Sequence, residues 1–299
     1  MTHPDGILVA DERAALPQIR TIGPADLKAA LAHGIEDFRA MATTHIIFLS
    51  LIYSVGGLFL ARAALGYDFV PLLFPLAAGF ALIGPIAGIW LYELSRRREQ
   101  GLDVAWHHAF DVVRSPSAGA IAALGLLLLV IFSVWVAVAQ AIYVANFGYQ
   151  SPASIGQFLR DVFTTRAGWT MILIGNAVGF VFALVAFVLS VVSFPLLIDR
   201  NVGVAAAVAT SVGVVVKNPL TMALWGLIVV AVLVLGSIPA FIGLAVVMPV
   251  LGHATWHLYR RAVEPDRSPP LEYRPRPAGQ RYAADFPVSL FTRSRDDEK

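Results

Sequence analysis

The sequence predicts an all-α, polytopic membrane helix bundle: six transmembrane helices as three hairpin repeats, joined by cytoplasmic amphipathic segments. Three observations lead there. The 299 residues are 58% hydrophobic and 14% charged, with a mean hydropathy of +0.72, whereas a soluble domain carries roughly 25% charged residues. The apolar residues fall in runs of about 18 or more, long enough to cross a hydrocarbon core. And one phrase is written twice. Gly84-Pro85-Ile86-Ala87-Gly88-Ile89-Trp90-Leu91-Tyr92-Glu93-Leu94-Ser95-Arg96-Arg97 returns as Met248-Pro249-Val250-Leu251-Gly252-His253-Ala254-Thr255-Trp256-His257-Leu258-Tyr259-Arg260-Arg261. Each is an apolar run, a proline, aromatic residues and then paired arginines, the pattern of a membrane helix reaching the cytoplasmic face.

The elements follow in order. Residues 1–44 form a cytoplasmic N-terminal segment with an amphipathic helix. They contain Asp5, Asp11, Glu12, Asp26, Glu36 and Asp37 and no apolar core of a signal peptide, so the first apolar run is itself the expected insertion signal. A transmembrane domain covers 45–260, with spans at about 45–65, 69–94, 118–145, 168–198, 219–236 and 238–258. The last apolar stretch is too long for one helix. Gly236-Ser237-Ile238-Pro239 sits at its middle, and glycine with proline punctuates a turn, so the stretch is divided there. A single long re-entrant element is the alternative. Residues 261–299, rich in Pro, Arg and Asp, read as a disordered cytoplasmic tail, whose basic residues could touch anionic lipid.

Charge sets the orientation. Of the 22 Lys and Arg residues, 19 lie in the N-terminal segment, in 95–117, in 199–218 or in the tail. Only Arg62, Arg160 and Arg166 lie in the intervening loops. The excess of positive charge on cytoplasmic loops then puts both termini inside, in a bacterial inner membrane, which requires an even number of spans.

The repeat extends upstream of each hairpin. Leu31 to Arg39 aligns with Trp106 to Arg114, and both have apolar and polar faces suited to the headgroup plane. Ala209 to Lys217 is the third copy. Ser115-Pro116 follows the second and Asn218-Pro219 the third, and Pro219 suits the first position of a helix because its missing N–H would be unpaired there. The returning helices carry Pro85, Pro195 and Pro249 within about a dozen residues of a basic end. Small residues drive close helix packing in lipid, so Gly84-x-x-x-Gly88 and Gly175-x-x-x-Gly179 are read as packing contacts within the chain.

Little of the sequence carries chemistry. With no cysteine, disulfides, thiolate metal sites and a cysteine nucleophile are excluded. A net charge of +2 without a clustered basic face gives no case for nucleic acid. His253-x-x-x-His257 is the one candidate metal pair, since residues four apart share a helix face. Further ligands are not evident, however, and Ala254 stands where zinc hydrolases of this type carry glutamate. An interfacial aromatic belt with Trp256 and Tyr259 explains both histidines. No histidine falls mid-span, as haem ligation would want. The helix interiors hold neutral polar groups only: Ser133, Gln140, Asn176 and Ser190. Asn176 is expected to hydrogen-bond a neighbouring helix; lining a solute path is its second reading. No cofactor and no enzymatic activity are therefore expected, and the partners are the lipid bilayer and other membrane subunits.

The order of these phrases resembles the DUF2189 family of bacterial integral membrane proteins. The matching pieces are Gly84-Pro85 through Arg96, Ser190 through Arg200, Asn218-Pro219, and Gly252 through Arg260, over roughly residues 30–263. The resemblance implies no established activity. Some members carry a label as cytochrome c oxidase subunits, which suggests an accessory or assembly partner of a respiratory complex. A catalytic oxidase subunit would have about twelve helices and several intramembrane histidines, and this chain has neither. A channel or carrier for a neutral or hydrophobic solute is the alternative reading.

Overall fold

A computed structural model describes residues 16–41, 73–149, 152, 154–238, 243–266, 271 and 273. The described residues are helical apart from one isolated antiparallel bridge, Ile19 with Val263. The predicted first span, 45–65, and Pro239 lie outside them.

Helix α1 (Pro24–Ala40) begins with Pro24 at its first position and with the Gly23 N–H donating to the Asp26 carboxylate at 2.9 Å. Helix α2 (Leu73–Glu99) contains Pro85 and ends on Arg96, Arg97 and Arg98, cations placed where the helix dipole is negative. Gly101, at φ +67°, turns the chain out, with the Leu102 N–H donating to the Arg97 carbonyl. The aligned copy Trp106–Arg114 is a 3-10 helix and Gly203–Lys217 is the α-helix α7, so the three upstream segments share position and not form. Helix α3 (Ala118–Phe147) is the longest, at about 45 Å.

The predicted fourth span is broken. A short helix α4 (Ile155–Thr164) leads into α5 (Arg166–Ser190), the chain turns at Val191-Val192, and α6 (Ser193–Asp199) contains Pro195. Serines satisfy the break. Ser193 Oγ donates to the Ala207 carbonyl at 3.1 Å, and Ser211 Oγ accepts from the Val192 N–H and donates to the Val188 carbonyl. Predicted as a loop, 199–218 is largely α7, with Ala207, Thr210, Ser211 and Val214 buried.

The last apolar stretch contains two helices, α8 (Pro219–Ser237) and α9 (Leu244–Ala262). Pro219 opens α8 as its spacing predicted. The backbones approach closely at the bend: a Cβ on Gly243 would lie 2.7 Å from the Gly236 carbonyl oxygen. Among the described residues, three helical stretches are long and apolar enough to cross a membrane: Ala118–Phe147, Arg166–Asp199 and Pro219–Ser237. Their exposed side chains are large and apolar, among them Leu126, Val130, Leu173, Phe180, Leu227 and Leu235. Outward apolar surface of this extent suits lipid, not water.

Three expectations are corrected by packing. Helix α1 does not lie free in a headgroup plane: its Leu27, Ala30, Gly34 and Asp37 are buried, and it docks along α9. A Cβ on Gly34 would lie 2.7 Å from Ala254 Cβ, so only glycine permits this approach. The glycine pairs behave unevenly. Gly179 packs on the Trp135 ring of α3, and Gly88 lies beside Tyr92 of its own helix; a Cβ at Gly84 or Gly175 would meet nothing within 4 Å among the described residues. The tail is also not wholly free. The Glu264 N–H donates to the Gln18 carbonyl, and the Arg20 N–H to the Ala262 carbonyl, joining the two ends of the described chain.

Candidate functional site

The polar groups of this apolar protein gather at one end of the bundle. The site is built by four helices: the last turn of α1, the basic end of α2, the end of α6 and the last three turns of α9. At its centre is Asp37, 4% exposed. Ser95 Oγ donates to Asp37 Oδ2 at 2.6 Å, and His257 Nε2 lies 2.9 Å from the same oxygen. Arg98 binds Asp37 Oδ1 and reaches Glu36 at 3.3 Å. His253, fully buried, has Nδ1 2.7 Å from Ser95 Oγ. Because the Ser95 proton is committed to the carboxylate, His253 Nδ1–H is the donor there, and because a carboxylate only accepts, His257 carries its proton on Nε2. Burial alone pushes the Asp37 carboxyl up. The hydrogen bonds from His257 and Ser95, with the nearby imidazoles, outweigh it and bring the pKa down to about 2.

A second group lies beside the first. Glu93, with no exposed surface, makes a bidentate pair with Arg96 at 2.8 Å for both bonds. Tyr273, from the tail, donates its hydroxyl to Glu93 Oε2 at 2.6 Å and lays its ring 4.6 Å from the Arg96 guanidinium carbon. Burial and the Glu93 carboxylate hold that phenol well above its usual pKa. A third group closes the cluster. Trp256 Nε1 donates to Glu99 at 2.9 Å, Arg260 bridges Glu99 and Asp199, and the Tyr259 hydroxyl donates to Asp199. Arg200 donates to the Glu264 carbonyl.

The sequence pointed to His253 and His257 but not to their surroundings. They are not a surface belt: His253 is in the core, and the inward-facing nitrogens of both rings are engaged with Ser95 and Asp37. Among the described residues no group of three or more His, Asp or Glu side chains is arranged to hold a metal. The Ser95–His253 separation is that of a nucleophile and its base, but Ser95 is 1% exposed and bonded on both sides, so this arrangement leaves no approach for a substrate. Its chemistry is electrostatic: buried acids and bases from distant parts of the chain neutralise one another. A signal for it was present. Leu27, Ala30, Gly34 and Asp37 share one stripe of α1, and an aspartate on an apolar stripe needs a buried cation or donor.

The other predicted polar groups are not gathered. Asn176 is exposed, and its amide donates back to the Ile172 carbonyl of its own helix at 2.7 Å instead of crossing to a neighbour. Ser133 is exposed and donates to the Leu129 carbonyl; Gln140 also faces outward. Pro195 and Pro249 are buried in α6 and α9, Pro85 lies eight residues before Glu93 in α2, and Pro219 opens α8, outside the cluster.

Residues 73–199 match the model of the DUF2189 family, described as a predicted integral membrane protein. The match runs from α2 through α6. It contains Glu93, Ser95, Arg96, Arg98, Glu99 and Asp199, and stops short of Asp37, His253, His257 and Tyr273. No curated protein and no solved structure matches the chain. The family description and the three apolar stretches agree in pointing to an integral membrane protein.

Proposed function

We propose that the chain is a non-enzymatic scaffold of the bacterial inner membrane, crossing it six times as three hairpins with both termini in the cytoplasm, and serving as an accessory or assembly partner of other membrane subunits. The charged cluster carries this reading. It ties α1, α2, α6, α9 and the tail into one cap, with its acids and bases facing each other and not a path. A cap so crosslinked favours a fixed platform over a protein that must open and close. The basic excess on the segments that form the cap supports a cytoplasmic position for it.

Partnership with a respiratory oxidase rests on the family label alone. Pull-down from native membranes in mild detergent, followed by mass spectrometry, tests it: oxidase subunits should be recovered with the tagged protein and not with an unrelated membrane bait. Their absence, with unchanged oxidase activity in a deletion strain, removes that partner. The channel or carrier reading is weakened by Ser133, Gln140 and Asn176, which face outward instead of lining an interior route. Liposome flux of a small neutral solute through the purified protein would revive it.

A further inference from the structure

We propose that α4 is an in-plane interfacial helix whose Leu159–Phe163 ridge is seated in the phospholipid leaflet opposite the charged cluster. The sequence of α4 divides cleanly around the helix axis. Phe158, Val162, Leu159 and Phe163 form one continuous apolar arc; Gln157, Arg160, Asp161 and Thr164 form the other side. The protein covers only half of the apolar arc. Val162 is buried, and the Phe158 ring meets Tyr143 and Phe147 at the end of α3, with centroids 6.2 and 6.4 Å away. Leu159 and Phe163 are left 48% and 59% exposed.

The helix is held at a fixed angle. Thr165 Oγ1 donates to the Asp161 carbonyl at 2.6 Å and accepts from the Gly168 N–H at 3.0 Å, and the close approach of Gly168 to the Val162 carbonyl leaves no room for a side chain. Trp169 extends the ridge: its indole N–H donates to the Phe163 carbonyl at 3.0 Å, and its ring is half exposed. From there the exposed surface continues without a break along α5 through Leu173, Phe180 and Leu184. A surface continuous with a membrane-spanning face, at the level of an outward tryptophan, belongs to the lipid boundary. Arg160 stands at the edge between the two arcs, where a long cationic side chain can lie over apolar surface and reach phosphate.

This inference rests on the membrane-spanning reading, and its test separates the two. The chain has no cysteine, so single nitroxides can be attached after Leu159→Cys, Phe163→Cys, Arg160→Cys and Thr164→Cys, with Val130→Cys in mid-α3 as the reference. The full-length protein is placed in phosphatidylcholine–phosphatidylglycerol vesicles and collisions with oxygen and with a water-soluble nickel chelate are compared. Positions 159 and 163 should favour oxygen severalfold over 160 and 164, at a depth of about 5–10 Å below the headgroups. Equal nickel access at all four positions would overturn the proposal, as would shielding of 159 and 163 from both agents, which would mean a protein partner. Nickel access at Val130 would instead overturn the membrane-spanning reading, and this proposal with it.

Discussion

His257 Nε2 lies 2.9 Å from Asp37 Oδ2, joining residues 220 positions apart in the chain. The contact crosses the seam between α1 and α9, and Arg98 and Ser95 reach the same carboxylate from α2. One aspartate thus joins three helices, beside the Asp26–Arg261 ion pair across the same seam.

Removal of that carboxylate should release the seam. Asp37→Ala takes the carboxylate away from Ser95, His257 and Arg98, and breaking a buried charge pair from one side costs on the order of 3 kcal/mol. A markedly lower thermal midpoint in detergent is expected, with faster amide exchange in α1 than in α3. An unchanged melt with α1 still protected would show that apolar packing alone secures the helix.

Asp37 also sets an acid limit. In an unfolded chain the carboxyl titrates near 3.8, and in the folded protein near 2. A depressed value means stability that is fully present above pH 3.8 and lost as pH falls through 2, about 2 kcal/mol in all. Unfolding free energy measured from pH 5 down to 2 should fall more steeply for the parent than for Asp37→Asn. Parallel slopes would assign the acid sensitivity to other carboxylates.

The glycines give a sharper contrast. Gly34→Ala sets a Cβ 2.7 Å from both Ala254 Cβ and Ala254 N, so the α1–α9 seam must part, at about 1–3 kcal/mol. Gly175→Ala meets nothing within 4 Å and should be neutral or slightly stabilising, since alanine is the better helix former. Thermal midpoints of the two variants decide the matter; equal losses would mean that Gly175 packs against something after all.

Tyr273 fastens the tail. Tyr273→Phe removes the hydrogen bond to Glu93 but keeps the ring over Arg96, whereas Tyr273→Ala removes both. Limited proteolysis should cut after Glu264 fastest in the alanine variant and at an intermediate rate in the phenylalanine one. Losing the bond to a buried carboxylate costs about 1.5–3 kcal/mol. Identical cleavage rates in all three proteins would show that the tail is secured elsewhere.

Where local patterning decides the structure, the sequence was readable. Helix α3 matches its predicted span within two residues, because an unbroken apolar run lies between Pro116 and Gly148, and Pro219 starts α8 because its missing N–H suits that position. Reading failed where distant residues decide. The break at Val191-Val192 is stabilised by Ser211, a residue of another helix, while the only local mark of it is Pro195, which cannot donate to the Val191 carbonyl. Arginines at 96–98 and 260–261 served only to orient the chain, so the acids that face them, Asp37, Glu93, Glu99 and Asp199, went unpaired. Asn176, mid-span between two glycines, predicts a bond to a neighbouring helix, but its side chain faces outward and donates to Ile172 of its own helix.

The docking of α1 on α9 has a consequence for biogenesis. Helix α1 leaves the ribosome long before its partner: residue 244, where α9 begins, follows residue 40 by 204 positions. At roughly 5–20 residues per second, the Leu27–Ala30–Gly34–Asp37 stripe therefore waits about 10–40 seconds for its complement. During that interval the nascent chain needs a temporary cover for an apolar stripe with a carboxylate in it. Ribosome-bound chains stalled before α9 should expose α1 to protease, and chains released after residue 266 should protect it.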